Sequence, residues 1–140
     1  IPNKPLNIIE TFYFGPHTDK EALLVAEEEN KGSGYSMKDF KQIIQNIGDT
    51  LKTQESNALA LYIQQSLYRN ISKQNDNIKN WGIKTAPFVV LLGVNVPAVL
   101  AEVTCLSNSD EERKLRKEYY REKIAQFLEE GIVSYLDKKI

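Results

Sequence analysis

The pattern of apolar and polar positions predicts strands near the start of the chain and in its second half. Ile8 to Phe14 (IIETFYF) is rich in β-branched and aromatic residues and precedes Gly15-Pro16, so it predicts a strand that ends in a turn. Phe88 to Val94 and Ala98 to Leu106 are near-continuous apolar runs. Because a strand covered by helices on both faces is apolar throughout, we expect these two runs to be central strands.

Helical spacing of apolar residues follows the first predicted strand. Thr18 with Glu21 has the sequence pattern of a capping box and predicts a helix that runs towards Asn30. Ser36 with Asp39 predicts the start of a second helix. Its apolar residues fall on one narrow stripe: Phe40, Ile43, Ile44, Ile47 and Leu51.

The later helices are predicted in the same way. A third helix is expected over about residues 53–69, and the Asn-rich segment 70–80 is expected to be a surface loop. Ser109 with Glu112 predicts a short charged helix. The last helix carries its apolar residues on one stripe: Tyr120, Ile124, Phe127, Leu128 and Tyr135. Strands separated from long amphipathic helices indicate an α/β fold, a layered sheet covered by helices.

Length and charge limit the classes of function. A chain of 140 residues suits one domain with its own core. It has 18 Lys and Arg residues against 19 Asp and Glu residues, a net charge of -1. Proteins that bind nucleic acid through its phosphates usually have a basic excess, so we expect no nucleic-acid partner. The longest apolar run, residues 86–105, is interrupted by Pro, Gly, Asn and Glu, so we expect no membrane insertion.

Metal-binding and nucleophilic side chains are scarce. The single His and single Cys exclude a self-contained His-rich or Cys-rich metal site and an intrachain disulfide. We interpret His17 as a surface turn residue and Cys105 as a buried small hydrophobe. Neither Cys105 nor any serine lies at a recognisable nucleophile turn, which argues against a serine or cysteine hydrolase. Trp81 and Tyr62 are candidates for a sugar-binding groove, although packing explains single aromatics more often.

Glu102 conflicts with its local pattern. On a strand it shares one face with Leu100 and Thr104, in the middle of an apolar run. A buried carboxylate costs several kcal/mol unless it is paired, coordinated or at a cavity. Two interpretations remain open from the pattern: a functional carboxylate, or an ion pair with a basic residue of a covering helix.

The segment from Trp81 to Asn108 (WGIKTAPFVVLLGVNVPAVLAEVTCLSN) resembles the C-terminal signature of the amidase type 3 family, the zinc-dependent N-acetylmuramoyl-L-alanine amidases. Three pieces carry the resemblance: Gly-Ile-Lys at 82–84, Asn-x-Pro-x-Val-Leu-x-Glu at 95–102, and Leu-Ser-Asn at 106–108. The resemblance implies that residues 1–140 have the amidase type 3 fold, as the C-terminal part of one catalytic domain that is incomplete at its N-terminus.

The resemblance also implies a reaction. Glu102 is then the catalytic glutamate, which lies beside a zinc-bound water and moves its proton during cleavage of the amide between N-acetylmuramic acid and L-alanine. Zinc lowers the pKa of a bound water to about 7, which supplies the nucleophile that an amide requires. Peptidoglycan is the implied partner, and the implied location is the periplasm or another extracytoplasmic site in the bacterial cell envelope.

Residues 19–52 resemble a helical insertion of the cell-separation branch of these amidases, in which a helix covers the active site until an activator protein displaces it. By position, Glu29 resembles the acidic residue of that insertion that reaches the zinc and blocks substrate. The alternative is that Glu27 to Glu29 form a solvated helix end. The second helix is the expected docking site for an activator.

The zinc ligands of the family, two histidines and a glutamate, are absent from this sequence, and the resemblance places them upstream of Ile1. We therefore expect no metal ligands in this chain, and we expect the chain alone to be an inactive fragment. If the ligands were replaced in the longer protein, the alternative is a non-catalytic module that binds peptidoglycan or a divisome partner.

Overall fold

The computed structural model describes residues 7–47 and 50–138. The elements, in chain order, are β1 (Ile8–Phe14), α1 (Lys20–Glu29), α2 (Met37–Ile47), α3 (Leu51–Ser72), β2 (Lys79–Ala86), a 3₁₀ turn (Val89–Leu91), β3 (Leu100–Glu102), α4 (Ser109–Leu115) and α5 (Glu118–Asp137). Among these elements, none of the helices is long and apolar enough to cross a membrane.

The described strands form one sheet in the order β2-β1-β3. β1 is parallel to β2 and antiparallel to β3. Parallel neighbours need a crossover, and α1, α2 and α3 provide it between β1 and β2. The predicted α/β class, with a sheet covered by helices, is confirmed.

The two faces of the sheet bury different apolar clusters. Phe12 of β1 is fully buried in the first cluster. This cluster also contains Phe14, Ala22, Ala26, Phe40, Ala86, Phe88 and Leu91. Ile9 faces the opposite side and packs in the second cluster with residues of α3 and α5: Ile63, Leu67, Ile71, Tyr120 and Ile124. The alternation of a strand thus divides β1 between two helical layers.

A β-bulge interrupts the pairing of β1 with β2. Ile9 is aligned with Asn80, but Glu10 is aligned with Gly82, so Trp81 is the extra residue. Gly82 has a φ of 75°, a conformation that side-chain-bearing residues rarely adopt. Gln64 of α3 is buried and donates hydrogen bonds to the Ile9 carbonyl (2.8 Å) and to Asn80 Oδ1 (2.7 Å). These hydrogen bonds connect α3 to β1 and to β2 immediately before the bulge.

Two predictions for the second half of the chain are wrong. Phe88 to Val94 is not a strand, because Phe88 and Leu91 reach the core from a 3₁₀ turn while Val90 is 68% exposed. In Ala98 to Leu106, only Leu100–Glu102 is a strand. The parallel partner of β1 is instead β2, which begins in the predicted surface loop and has a mostly polar sequence.

Two predicted helix caps are also wrong by one residue. α1 is capped by Asp19, whose Oδ1 accepts a hydrogen bond from the Ala22 N–H (2.8 Å), while Thr18 Oγ1 accepts from the Thr85 N–H. α4 is capped by Asn108 rather than Ser109. In each case an Asx side chain stands next to the predicted hydroxyl and makes the cap instead.

The boundary between α2 and α3 is corrected as well. The predicted capping box of Ser36 and Asp39 is confirmed, since the Ser36 N–H donates to Asp39 Oδ2 (2.7 Å) and the Asp39 N–H donates to Ser36 Oγ (3.3 Å). Leu51, predicted on the α2 stripe, begins α3 and is 72% exposed. The Ile47 side chain lies outside the described part. Phe40 is buried, as the stripe predicts.

A buried carboxylate joins the loops at one end of the sheet. Glu111 of α4 is 1% exposed. Its Oε1 accepts hydrogen bonds from Lys114 Nζ (2.7 Å) and Asn75 Nδ2 (3.0 Å). Its Oε2 accepts from Tyr120 Oη (3.2 Å) and Thr104 Oγ1 (3.3 Å). Burial and the Glu111 charge raise the pKa of Tyr120 to about 12, so this hydroxyl remains a donor at neutral pH.

Gly131 sets the contact between α5 and α3. A Cβ atom at this position would lie 2.8 Å from the Ile63 Cα and 3.1 Å from the Tyr62 carbonyl oxygen. Gly131→Ala is therefore expected to lower the free energy of unfolding by about 1–3 kcal/mol, because the two helices must separate. Denaturant unfolding of the variant measures this loss. Ser134→Ala, on the exposed side of α5, is the control, and an equal effect in both variants would contradict the contact.

Candidate active site

Glu102 lies at the end of β3 and is half-buried. Its neighbour Leu100 packs against the first apolar cluster, whereas Val99 and Ala101 pack against the second. The predicted alternation of faces is therefore confirmed for residues 99–101. Thr104, predicted on the face of Glu102, lies beyond the end of β3, and its Oγ1 donates to Glu111. In the pairing of β1 with β3, Glu102 is directly aligned with Glu10.

Glu10, Lys84 and Asp19 form an ion-pair network on the same face. Lys84 Nζ lies 3.2 Å from Glu10 Oε2 and 3.1 Å from Asp19 Oδ2. The Lys84 ammonium also lies 4.8 Å from the centroid of the Trp81 ring. The bulge makes this network possible, since beyond it Lys84 is aligned with Phe12 and faces the same side as Glu10.

Burial and neighbouring charges raise the pKa of Glu102 to about 7. Burial has the largest effect, and the charges of Glu10 and Glu29 add to it, while Lys84 opposes them. Burial also raises the pKa of Glu10, although Lys84 opposes this shift. The alternative, an ion pair between Glu102 and a basic residue of a covering helix, is not found within the described residues, and Lys84 of β2 contacts Glu10 and Asp19 instead.

Glu29 is exposed at the end of α1, and its charge acts on Glu102. The next residue, Asn30, fixes this end of the helix. Asn30 Nδ2 donates to the Pro87 carbonyl (2.7 Å), and Asn30 Oδ1 accepts from the Val89 N–H (2.9 Å). These contacts fix the helix end that carries Glu29.

The other candidates are placed as follows. His17 is exposed after the turn, as predicted. Cys105 is half-buried, and its Sγ lies 3.0 Å from Ser107 Oγ. Tyr62 packs edge-to-face with Tyr135, which supports the packing interpretation. Sequence reasoning missed Glu10 and Lys84, although Glu10 is a charged residue inside a predicted buried strand.

The arrangement supports proton transfer by Glu102. A carboxyl group with a pKa near 7 is present in both protonation states at neutral pH, which suits a general acid-base. Catalytic zinc requires three converging protein ligands. Within residues 7–47 and 50–138, the His, Cys, Asp and Glu residues do not form such a group, so the described residues alone do not fit a zinc site.

Comparison with known proteins identifies the family. The model of the N-acetylmuramoyl-L-alanine amidase family matches residues 2–134. The chain is 29% identical over 117 residues to N-acetylmuramoyl-L-alanine amidase AmiA of Escherichia coli, an alignment that covers 81% of the chain and 40% of AmiA.

Two solved structures have the same fold. An N-acetylmuramoyl-L-alanine amidase from Clostridium difficile 630 superposes with a TM-score of 0.62 at 25% identity, covering 98% of this chain and 52% of the other. The CwlD amidase from Clostridioides difficile, solved in complex with the GerS lipoprotein, gives 0.57 at 28% identity, with 94% and 47% coverage. The chain spans about half the length of these proteins. With its matched family model and shared fold, the chain belongs to the N-acetylmuramoyl-L-alanine amidase family.

Proposed function

We propose that this chain is the part of a peptidoglycan amidase that supplies the proton-transferring group, Glu102. The observation that carries the proposal is the raised pKa of a half-buried carboxyl group in a chain of this family. The substrate is the amide between the lactyl group of N-acetylmuramic acid and L-alanine. Such a substrate places the protein outside the cytoplasm, in the cell envelope.

The proposed reaction is hydrolysis. Water attacks the amide carbon, and the Glu102 carboxylate accepts the proton that water loses. The C–N bond then breaks, and Glu102 returns the proton to the leaving nitrogen of L-alanine. The products are a lactyl carboxylate and a free amino group. We propose zinc as the cofactor, with ligands outside the described residues, and we therefore expect the 140 residues alone to lack turnover.

Product analysis tests this function. The complete polypeptide that contains this chain is incubated with purified peptidoglycan, and the soluble products are identified by mass spectrometry. Stem peptides with a free N-terminal L-alanine are the expected products. Binding to peptidoglycan without these products would favour the second candidate, a non-catalytic module.

We further propose that residues 19–52 regulate the site and that an activator protein docks on α2. Support comes from the charge of Glu29, which acts on Glu102, and from the related CwlD amidase, which was solved in complex with the GerS lipoprotein. Ala22 and Ala26 of α1 and Phe40 of α2 belong to the first apolar cluster. Displacement of all of residues 19–52 would expose this apolar cluster to water. We therefore propose that regulation involves a shift of the C-terminal end of α1 alone.

Glu29→Gln is expected to raise the basal rate of the complete polypeptide several-fold in the absence of an activator. The substitution removes the carboxylate proposed to block the site and retains the shape of the side chain. Hydrolysis of peptidoglycan without added partner measures the effect. Glu27→Gln changes a neighbouring exposed carboxylate of α1 and is the control. Equal basal rates in the two variants would refute the role of Glu29.

A further inference from the structure

Glu10 is a buried carboxylate in the middle of β1. Its side chain is 3% exposed. Oε2 lies 3.2 Å from Lys84 Nζ, close enough for an ion pair. Burying a charge is costly unless it is fully paired, so this position requires a reason beyond packing.

Lys84 does not neutralise Glu10 completely. Its ammonium also contacts Asp19 at 3.1 Å, so one positive charge is divided between two carboxylates. The Lys84 side chain is 13% exposed, which limits the water available to screen the network. A residual negative charge therefore remains at Glu10, on the face of the sheet that carries Glu102.

The register places this charge opposite Glu102. Residues directly aligned in an antiparallel pair have Cβ atoms about 4.5–5.5 Å apart, with side chains on the same face. Two carboxylates at this separation disfavour simultaneous ionisation. Three charged groups of the surrounding elements act on Glu102 electrostatically: Glu10 from β1, Lys84 from β2 and Glu29 from α1.

We propose that Glu10, held by Lys84, is a positioning residue for the amidase reaction, and that its charge raises the pH up to which Glu102 carries a proton. This inference rests on the proposed function. Glu10 exchanges no proton with the substrate; it makes the protonated form of Glu102 more favourable. Its burial distinguishes it from Glu29, whose charge reaches Glu102 from an exposed position.

Glu10→Gln tests the inference, because it removes the charge and preserves the shape. We expect the titration midpoint of the Glu102 carboxyl group to fall by about one pH unit or more, since a neighbouring like charge is removed and Lys84 loses one of its partners. The midpoint is measured by carbon-detected NMR on the 140-residue chain. In the complete polypeptide, the acidic limb of the pH–rate profile should move in the same direction.

Glu29→Gln is the matched control. It should also lower the midpoint, but the Glu29 contribution should shrink in about 1 M salt, where the Debye length is about 3 Å. The shift caused by Glu10→Gln should persist in the same salt, because the Glu10 charge is buried. Equal midpoints in Glu10→Gln and the unmodified chain would overturn the inference.

A second measurement needs no variant. In the unmodified chain, the Glu10 carboxyl resonance should respond at the midpoint of Glu102, because strongly interacting groups titrate together. No response would also overturn the inference. Both NMR readouts are independent of turnover, so a shifted midpoint in a protein without amidase products would refute the proposed function and leave the coupling intact.

Discussion

Glu102→Gln is expected to reduce amide hydrolysis by the complete polypeptide by about 100- to 10,000-fold, the usual contribution of a general acid-base. The amide side chain of Gln has nearly the shape of the carboxyl group, but it cannot accept the proton of the attacking water. The rate of release of stem peptides, measured under conditions that saturate with substrate, reports the loss.

Two controls show whether a lower rate of Glu102→Gln reflects lost chemistry or lost folding: the stability of the variant and a matched substitution elsewhere. Because Glu102→Gln removes a charge that Glu10 and Glu29 oppose, the variant should be at least as stable to denaturant as the parent near neutral pH. Glu118→Gln makes the same chemical change at an exposed position of α5 and should leave the rate unchanged. Retained activity in Glu102→Gln would remove Glu102 from the mechanism.

Glu111→Ala should lower the free energy of unfolding by about 2–4 kcal/mol, because a buried donor left without its acceptor costs about 1–3 kcal/mol and several donors lose theirs here. The substitution leaves the Lys114 ammonium and the Tyr120 hydroxyl without their acceptor. It also removes the acceptor of the Asn75 amide, which ties the loop before β2 to α4. Denaturant unfolding at neutral pH measures the loss.

Two further variants make this prediction specific. Glu111→Gln keeps the shape and one acceptor, so its loss should be smaller, about 1–3 kcal/mol. Glu112→Ala removes a partly exposed carboxylate paired with Arg116, and the expected loss is about 1 kcal/mol or less. If Glu111→Ala and Glu112→Ala were equally stable, the buried hydrogen bonds of Glu111 would contribute little.

The predictions from sequence succeed where local pattern and tertiary packing agree. β1 has its predicted bounds because its β-branched and aromatic residues serve two apolar clusters. Glu102 was identifiable because a carboxylate in an apolar run violates a local rule. Glu10 violates the same rule, but its neighbours Glu102 and Lys84 are distant in sequence, and their convergence depends on strand pairing.

The failures have one physical cause, the dependence of structure on distant contacts. β2 is polar by sequence, yet it pairs with β1 through backbone hydrogen bonds that carry little residue preference. Phe88 is buried and Val90 is 68% exposed, although a strand would place these two residues on the same face; a 3₁₀ turn separates them. Glu111 stands in a charged run whose other members are more exposed, so the pattern did not reveal its burial.

The bulge at Trp81 determines how an insertion or deletion in β2 would affect the side of the sheet that Lys84 faces. Asn80 faces Gln64 of α3, and in a regular strand a residue four positions later would face the same helix. Lys84 instead faces Glu10, because the extra residue is absorbed by the bulge and by Gly82. A related protein that lacks a residue at the position of Trp81 would need no bulge to keep the lysine on the same face as Glu10. If a related protein retained the extra residue but lost the left-handed glycine conformation, its lysine would turn towards α3. The charge around Glu102 would then change although no acidic residue had been replaced.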